Sequence, residues 1–291
     1  MSNERNPERV FFELRPEFRH PTESAAAILP VPYDATSSWK KGAQRGPEAI
    51  LEASSYVEPW DLETGTEPFR RGIATLKPVV CDGAPEVLAG HVAGRVGEIL
   101  DRGQIPVVLG GEHSVTIGAV RATVDRFPRV SVLQIDAHGD TRESYHGSRY
   151  NHGCVMARVR EWCPIVQVGI RSIDTSEVAA FDDGRVFPAR EIVRSRDGSW
   201  VDRAVEGLTE EVYVTIDLDA FDPSIVPATG TPEPGGLDWY QVTDLLEAVA
   251  GRRNVVAFDV VELCPAPGQH ASAFTAAKLV YRFLAMIFGS D

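Results

Sequence analysis

The sequence predicts an α/β protein: a three-layer α/β/α sandwich built on a mainly parallel central sheet. Two observations carry this. Strand-length apolar runs alternate with stretches of helical periodicity along the chain, and no composition shift, repeat or flexible linker divides that alternation. With 291 residues, 43% of them hydrophobic, the chain can fill one large core. We therefore expect a single domain over residues 25–291, preceded by an arm over residues 1–24 in which Pro7, Pro16 and Pro21 break any long element.

The elements follow in order. Residues 25–31 form the first strand, residues 32–39 a polar loop, and Pro47 sits where a first helical turn tolerates proline, opening a helix to about Ser55. Residues 58–78, rich in Glu, Thr and Pro, are expected to be loop. Val87, Leu88, His91, Val92, Val96, Ile99 and Leu100 recur at helical spacing, which predicts a helix over about 85–102. The strand at 105–109 runs into Gly110, Gly111, Glu112, His113 and Ser114, where paired glycines permit an unusual backbone and close approach. Residues 130–135 are another buried strand, 164–169 the next, and a short strand near Val186 and Phe187 precedes a helix around 200–208. The strand at 211–216 leads to Asp217 and Asp219. A rigid Gly/Pro-rich loop at 229–236 then precedes a helix from Asp238 to Ala250, with Gln241 completing a capping box and Gly251 as the stop. Residues 254–261 deliver Glu262, and a last helix covers about 272–287.

Composition excludes several classes. The longest apolar stretches fall short of the roughly 18–20 residues of a bilayer helix, and the N-terminus has no hydrophobic signal core, so a cytoplasmic protein without membrane association is expected. A net charge of −13 opposes nucleic acid and anionic lipid and favours a cationic ligand. Cys81, Cys154, Cys163 and Cys264 lack paired metal-ligand spacing and receive no chemistry.

The chemistry gathers at strand ends. In an extended chain Asp136 and His138 share a face, and Gly139 lets the backbone bring Asp140 back; Asp217 and Asp219 repeat the pattern. Four strands thus end in His113, in Asp136, His138 and Asp140, in Asp217 and Asp219, and in Glu262, where parallel sheets place functional groups. Four aspartates would be balanced by two divalent cations, with His113 and His138 as neutral ligands. Carboxylate oxygens outnumber imidazole nitrogens and no thiolate is offered, which favours two manganese ions over structural zinc, although nickel, cobalt or zinc could use such ligands. Metal-bound water loses its proton near neutral pH, so hydrolysis by a hydroxide is the expected reaction. Asp222, before Pro223, is as well explained as a turn residue.

These residues give the chain its resemblance to the ureohydrolase (arginase/agmatinase) family. It shares that family's GG(D/E)HS, DAHxD and DxDxxDP motifs and late glutamate, all present in order, at 110–114, 136–140, 217–223 and Glu262. The stretches 29–34, 42–50, 167–171 and 230–236 extend the similarity over nearly the whole chain. The resemblance implies His113, Asp136, Asp140 and Asp217 around one manganese and Asp136, His138, Asp217 and Asp219 around the other, with Asp136 and Asp217 bridging. It also implies that Glu262 holds the guanidinium, that His152 shuttles protons to the leaving amine, and that Asp140 counts with these catalytic residues. The substrate would be a small cationic guanidino compound, with agmatine, giving putrescine and urea, the first expectation. Aminopropylagmatine, guanidinobutyrate, guanidinopropionate, formiminoglutamate and arginine are alternatives, arginine being disfavoured by the departure at 143–151 from the segment that reads its α-carboxylate in arginases. The distal amine is left to a carboxylate such as Glu143 or Asp174, or to water, with no choice among them from sequence, and a homotrimer or homohexamer is implied. Two other classes compete. A metallophosphatase would need cationic groups for phosphate, for which only Arg142 and Arg149 are at hand, and a silent homologue acting as a regulator could have lost ligands that are all retained here. No role is assigned to His146 or His270.

Overall fold

The structure, a computed structural model, describes residues 9–181, 184–195 and 197–289. Its strands are β1 (Ala26–Val31), β2 (Ile73–Thr75), β3 (Ile105–Gly110), β4 (Ser131–Ile135), β5 (Ile165–Ile170), β6 (Val186–Pro188), β7 (Glu211–Asp217) and β8 (Asn254–Val261). They form one sheet in the order β2-β1-β3-β8-β7-β4-β5-β6, and every pairing is parallel. Parallel neighbours require crossovers, which the helices supply: α1 (Gly46–Ser54), α2 (Pro85–Asp101), α3 (Val115–Arg126), α4 (Val155–Val159), α5 (Ala189–Arg194), α6 (Ser199–Glu206), α7 (Trp239–Arg252) and α8 (His270–Phe288).

The two-residue period of the strands divides the core in two. Ile28, Leu109, Leu133, Val214 and Phe258 point to a layer that includes Ile50 of α1, Leu246 of α7 and Phe283 of α8. Their neighbours Leu29, Val108, Val132, Tyr213 and Ala257 point to the other side, against Val92 and Val96 of α2 and Val120 of α3. A Cβ on Gly118 would stand 2.3 Å from the Ala89 carbonyl oxygen, so this glycine sets how closely α2 and α3 approach. Helix α8 is long and apolar enough to cross a bilayer by composition, but most of that stretch is buried inside the fold.

Several details differ from expectation. Within residues 58–78, Ile73 and Ala74 are buried in the edge strand β2, too short for any periodicity to announce it. Helices α3, α4 and α5 occupy stretches for which no helix was specified. Asp238 and Gln241 do form the capping box, but α7 continues through Gly251 to Arg252, because a helical glycine costs only about 1 kcal/mol where packing favours continuation. Near the N-terminus, two 3₁₀ turns (Phe11–Glu13 and Pro16–Phe18) bring Phe11 into the core, and Phe12 stacks on Tyr281 at 4.5 Å.

Candidate active site

The four strands that carry the candidate residues are consecutive in the sheet, β3-β8-β7-β4, so their carboxyl ends open into one place. Gly111 shapes the first. Its N–H donates to the Val31 carbonyl at 2.9 Å, its own carbonyl accepts the Glu262 N–H at 2.8 Å, and a Cβ there would lie 1.8 Å from the Tyr33 oxygen. The chain can then place His113 with its Nδ1 3.2 Å from Asp136 Oδ2, 3.1 Å from Asp140 Oδ2 and 3.4 Å from Asp217 Oδ2.

A second cluster adjoins the first. His138 Nδ1 is 3.0 Å from Asp219 Oδ2 and 3.7 Å from Asp136 Oδ1. Asp136 is common to both groups, whose ligand atoms all lie within 4.8 Å of one another in each. Asp217 Oδ1 accepts the backbone N–H of Asp219 at 2.8 Å, which fixes the turn at the β7 end. All six side chains predicted as ligands converge.

These groups are held by partners that the sequence reading did not single out. His113 Nε2 meets Thr215 Oγ1 at 2.8 Å, and that hydroxyl donates to Asp259 Oδ1 at 2.6 Å. A hydroxyl that spends its proton on Asp259 must accept from Nε2–H, which turns Nδ1 toward the carboxylates. Asp259 was legible as a carboxylate inside an apolar strand, which requires buried donors; Tyr213 and Thr116 supply two more on its Oδ2. Gln134 donates to Asp136 Oδ2 at 2.7 Å. Arg171 ties the turn at Asp219 to the 229–236 loop through the carbonyls of Asp219 and Glu233, at 2.7 and 2.8 Å.

Asp140 and Glu262 stand at φ 52 and 65, in the left-handed region that costs a non-glycine residue about 1–2 kcal/mol. Neighbours hold Asp140 there: Glu177 Oε1 accepts both the N–H and the hydroxyl of Thr141, at 2.7 and 3.0 Å, and the Asp140 carbonyl accepts the N–H groups of Met156 and Ala157.

Electrostatics is adverse without further cations. Burial, then Asp136, pushes the Asp140 carboxyl up to about 6. Burial with Asp219 and Asp136 raises Asp217 well above the usual carboxylate range, and burial with Glu112 and Asp219 does the same to Glu262. His113 Nδ1, fully buried, has no hydrogen-bond partner although three carboxylates face it. An orphaned imidazole nitrogen pointing into a carboxylate cage, where, against burial, the nearby carboxylates raise the His113 pKa while no ion replaces the proton, is a donor set that fits hard or borderline divalent ions in a binuclear centre.

The cage forms the floor of a cavity of about 340 Å³ whose wall includes His152 and Glu262. Glu262 Oε1 accepts the His113 N–H at 2.8 Å. His152 Nε2 is 2.8 Å from Ser38 Oγ and its Nδ1 3.3 Å from Thr36 Oγ1, both from the loop after β1. Burial, with the charge of His113 next, lowers the His152 pKa to about 4, so its ring is neutral at neutral pH. Asp174 lines the cavity, whereas Glu143 is exposed and paired with Arg158 at 2.8 Å and Arg149 at 3.6 Å. Of the two carboxylates considered for a distal amine, only Asp174 is on the wall. Asp222 accepts from Ser224, Gly235 and Gly236 and is a turn residue. His146 packs on Tyr145 and is not among the cavity residues, and His270 opens α8.

A sequence profile of the arginase family matches residues 24–286. An N(1)-aminopropylagmatine ureohydrolase from Synechocystis is 39% identical over 276 residues, covering 90% of this chain and 89% of the relative. One from Thermus thermophilus is 42% identical over 268 residues, covering 91% and 90%. Among solved structures, the agmatine ureohydrolase of Thermoplasma volcanium superposes with a TM-score of 0.87 at 30% identity, over 97% of this chain and 95% of that one.

Proposed function

This chain belongs to the arginase family and is a hydrolase, and from that premise we propose that it releases urea from a small cationic guanidino compound of the agmatine type. The observation that carries the reading is the convergence of two carboxylate–imidazole clusters sharing Asp136 on the floor of a cavity that also presents Glu262 and His152. His113, Asp136, Asp140 and Asp217 would hold one manganese ion, and Asp136, His138, Asp217 and Asp219 the other. When bound, the ions supply charge compensation for the cage and a water activated near neutral pH.

The chain's own groups do the rest. Glu262, raised by burial and by Glu112, becomes an ionised partner once a planar guanidinium offers it paired donors. Its left-handed backbone and its bond from the His113 N–H fix where those donors must lie. His152, neutral and aligned by Ser38 and Thr36, would take up a proton and pass it to the leaving amine, which departs readily only when protonated. The buried floor excludes bulk water from competing with these contacts.

Agmatine and N1-aminopropylagmatine are both supported, the first by the solved relative and the second by the two curated relatives. Urea release with added manganese, measured over agmatine, N1-aminopropylagmatine, 4-guanidinobutanoate and arginine, tests the proposal. We expect kcat/KM for one of the two polyamine precursors to exceed that for arginine by ~10²-fold or more, because arginine's extra carboxylate must be desolvated beside an acidic wall. Equal rates on arginine and agmatine would refute the agmatine-type assignment.

A further inference from the structure

His152 meets a hydroxyl at each ring nitrogen, and both hydroxyls belong to the loop that follows β1. Thr36 engages it twice, since its Oγ1 accepts the His152 backbone N–H at 3.1 Å and lies 3.3 Å from Nδ1. The loop is also closed on itself. Asp34 Oδ2 accepts the Gly42 N–H at 2.7 Å, and Lys41 Nζ donates to the carbonyls of Asp34 and Ala35 at 2.5 and 2.8 Å. Thr36 is thus held by contacts other than those to the histidine.

Glu112 decides the direction of these bonds. Its side chain is buried, and Ser114 donates to it twice, with the N–H on Oε2 at 3.0 Å and the hydroxyl on Oε1 at 2.7 Å. The Thr36 hydroxyl is its third donor. A hydroxyl has one proton to give, so with that proton on Glu112 the Thr36 oxygen can only accept from His152, and Nδ1 must carry the ring hydrogen. Burial, with the charge of His113 next, holds the His152 pKa down at about 4, so the ring has no second hydrogen at neutral pH. Nε2 is left with a lone pair, and Ser38 Oγ, 2.8 Å away, donates to it. Ser38 and His152 line the cavity, whereas Thr36 and Glu112 are not among the residues of its wall.

We propose that Thr36 is a positioning residue which, anchored on Glu112, holds His152 as the Nδ1–H tautomer and so makes Nε2, beside Ser38 on the cavity wall, the nitrogen that passes the proton. Nε2 takes up a proton from water, and the leaving nitrogen receives it on its lone pair. The bond from that nitrogen to the guanidinium carbon then breaks, its electron pair goes to the nitrogen, and the ring is neutral again with its Nδ1–H still on Thr36. This rests on the guanidino-hydrolase reading above, which supplies the leaving amine.

The test measures kcat, KM and bound manganese on whichever guanidino compound wild type hydrolyses fastest. Expressing kcat per manganese-loaded site removes any misfolded fraction from the comparison. Thr36→Val, which keeps the shape and removes the hydroxyl, should lower kcat about tenfold or more with KM and manganese content within about twofold of wild type, and Thr36→Ser should restore most of the loss. In the His152→Asn background the same Thr36→Val change should alter kcat by less than about twofold, because effects exerted through one ring do not add once the ring is gone. An unchanged kcat or lost manganese in Thr36→Val, no rescue by Ser, or an equal loss in the His152→Asn background would overturn the assignment while leaving guanidino hydrolysis intact. No urea from any guanidino compound with wild type would instead defeat the underlying reading.

Discussion

His113 Nε2 lies 2.8 Å from Thr215 Oγ1, and because that hydroxyl gives its proton to Asp259, it accepts from Nε2–H and the ring is held with Nδ1 turned to Asp136, Asp140 and Asp217. Thr215 thus orients the ring so that Nδ1 would face a bound ion. Thr215→Val should weaken manganese binding about 10- to 100-fold, the scale for lost outer partners of metal ligands, and Thr215→Ser should restore it. Calorimetric titration of metal-free protein would show this, and equal affinity in the Val and Ser variants would remove the hydroxyl from the argument.

Asp136 is shared by both clusters, and Asp217 touches His113 with one oxygen and Asp219 with the other. Asp136→Asn and Asp217→Asn should each lose metal content along with turnover. Elemental analysis decides it. Two ions per chain with near-normal activity in either variant would falsify the binuclear assignment.

His152 contacts Thr36 and Ser38 and none of the six presumed ligands, so His152→Asn should retain both ions while kcat drops roughly 10²-fold. The variant should also change the pH dependence of stability. With a folded pKa of about 4 against an ordinary value of 6.5, the unfolded chain takes up this proton first as pH falls. The stabilisation from His152 is thus complete above about pH 6.5 and is lost on descent toward pH 4. Denaturant unfolding across that window should show a steeper fall for wild type than for His152→Asn; parallel curves would speak against the shift.

Gly111 has no room for a side chain, with the Tyr33 oxygen 1.8 Å from where a Cβ would sit. The obstacle is backbone that itself bonds Glu112, so it cannot swing aside. Gly111→Ala should lower stability by about 3 kcal/mol or more and misplace both His113 and Glu262. A thermal midpoint within a few degrees of wild type would contradict the close approach seen here.

The sequence by itself determined the parallel α/β class, most strands to within a residue or two, and the convergence of His113, the Asp136–Asp140 segment, Asp217, Asp219 and Glu262. Each is set by short-range rules: apolar runs fix strands, two-residue alternation puts Asp136 with His138 and Asp217 with Asp219, and parallel strands must end together. Only the tertiary structure decided which groups serve these residues. Thr215 and Asp259 reach His113 because β7 and β8 pair in register at those positions, and no local pattern encodes that pairing. Thr36 and Ser38 reach His152 from 116 and 114 residues away along the chain. Strand β2 escaped notice since three residues carry no period, and α7 outran Gly251 since packing outweighs a small propensity cost. Glu143 and Asp174 are equivalent carboxylates in sequence, and only packing set one against Arg158 and the other on the cavity wall. Ligand types are a property of residues, whereas orientation and hydrogen-bond partners are properties of pairs brought together by folding.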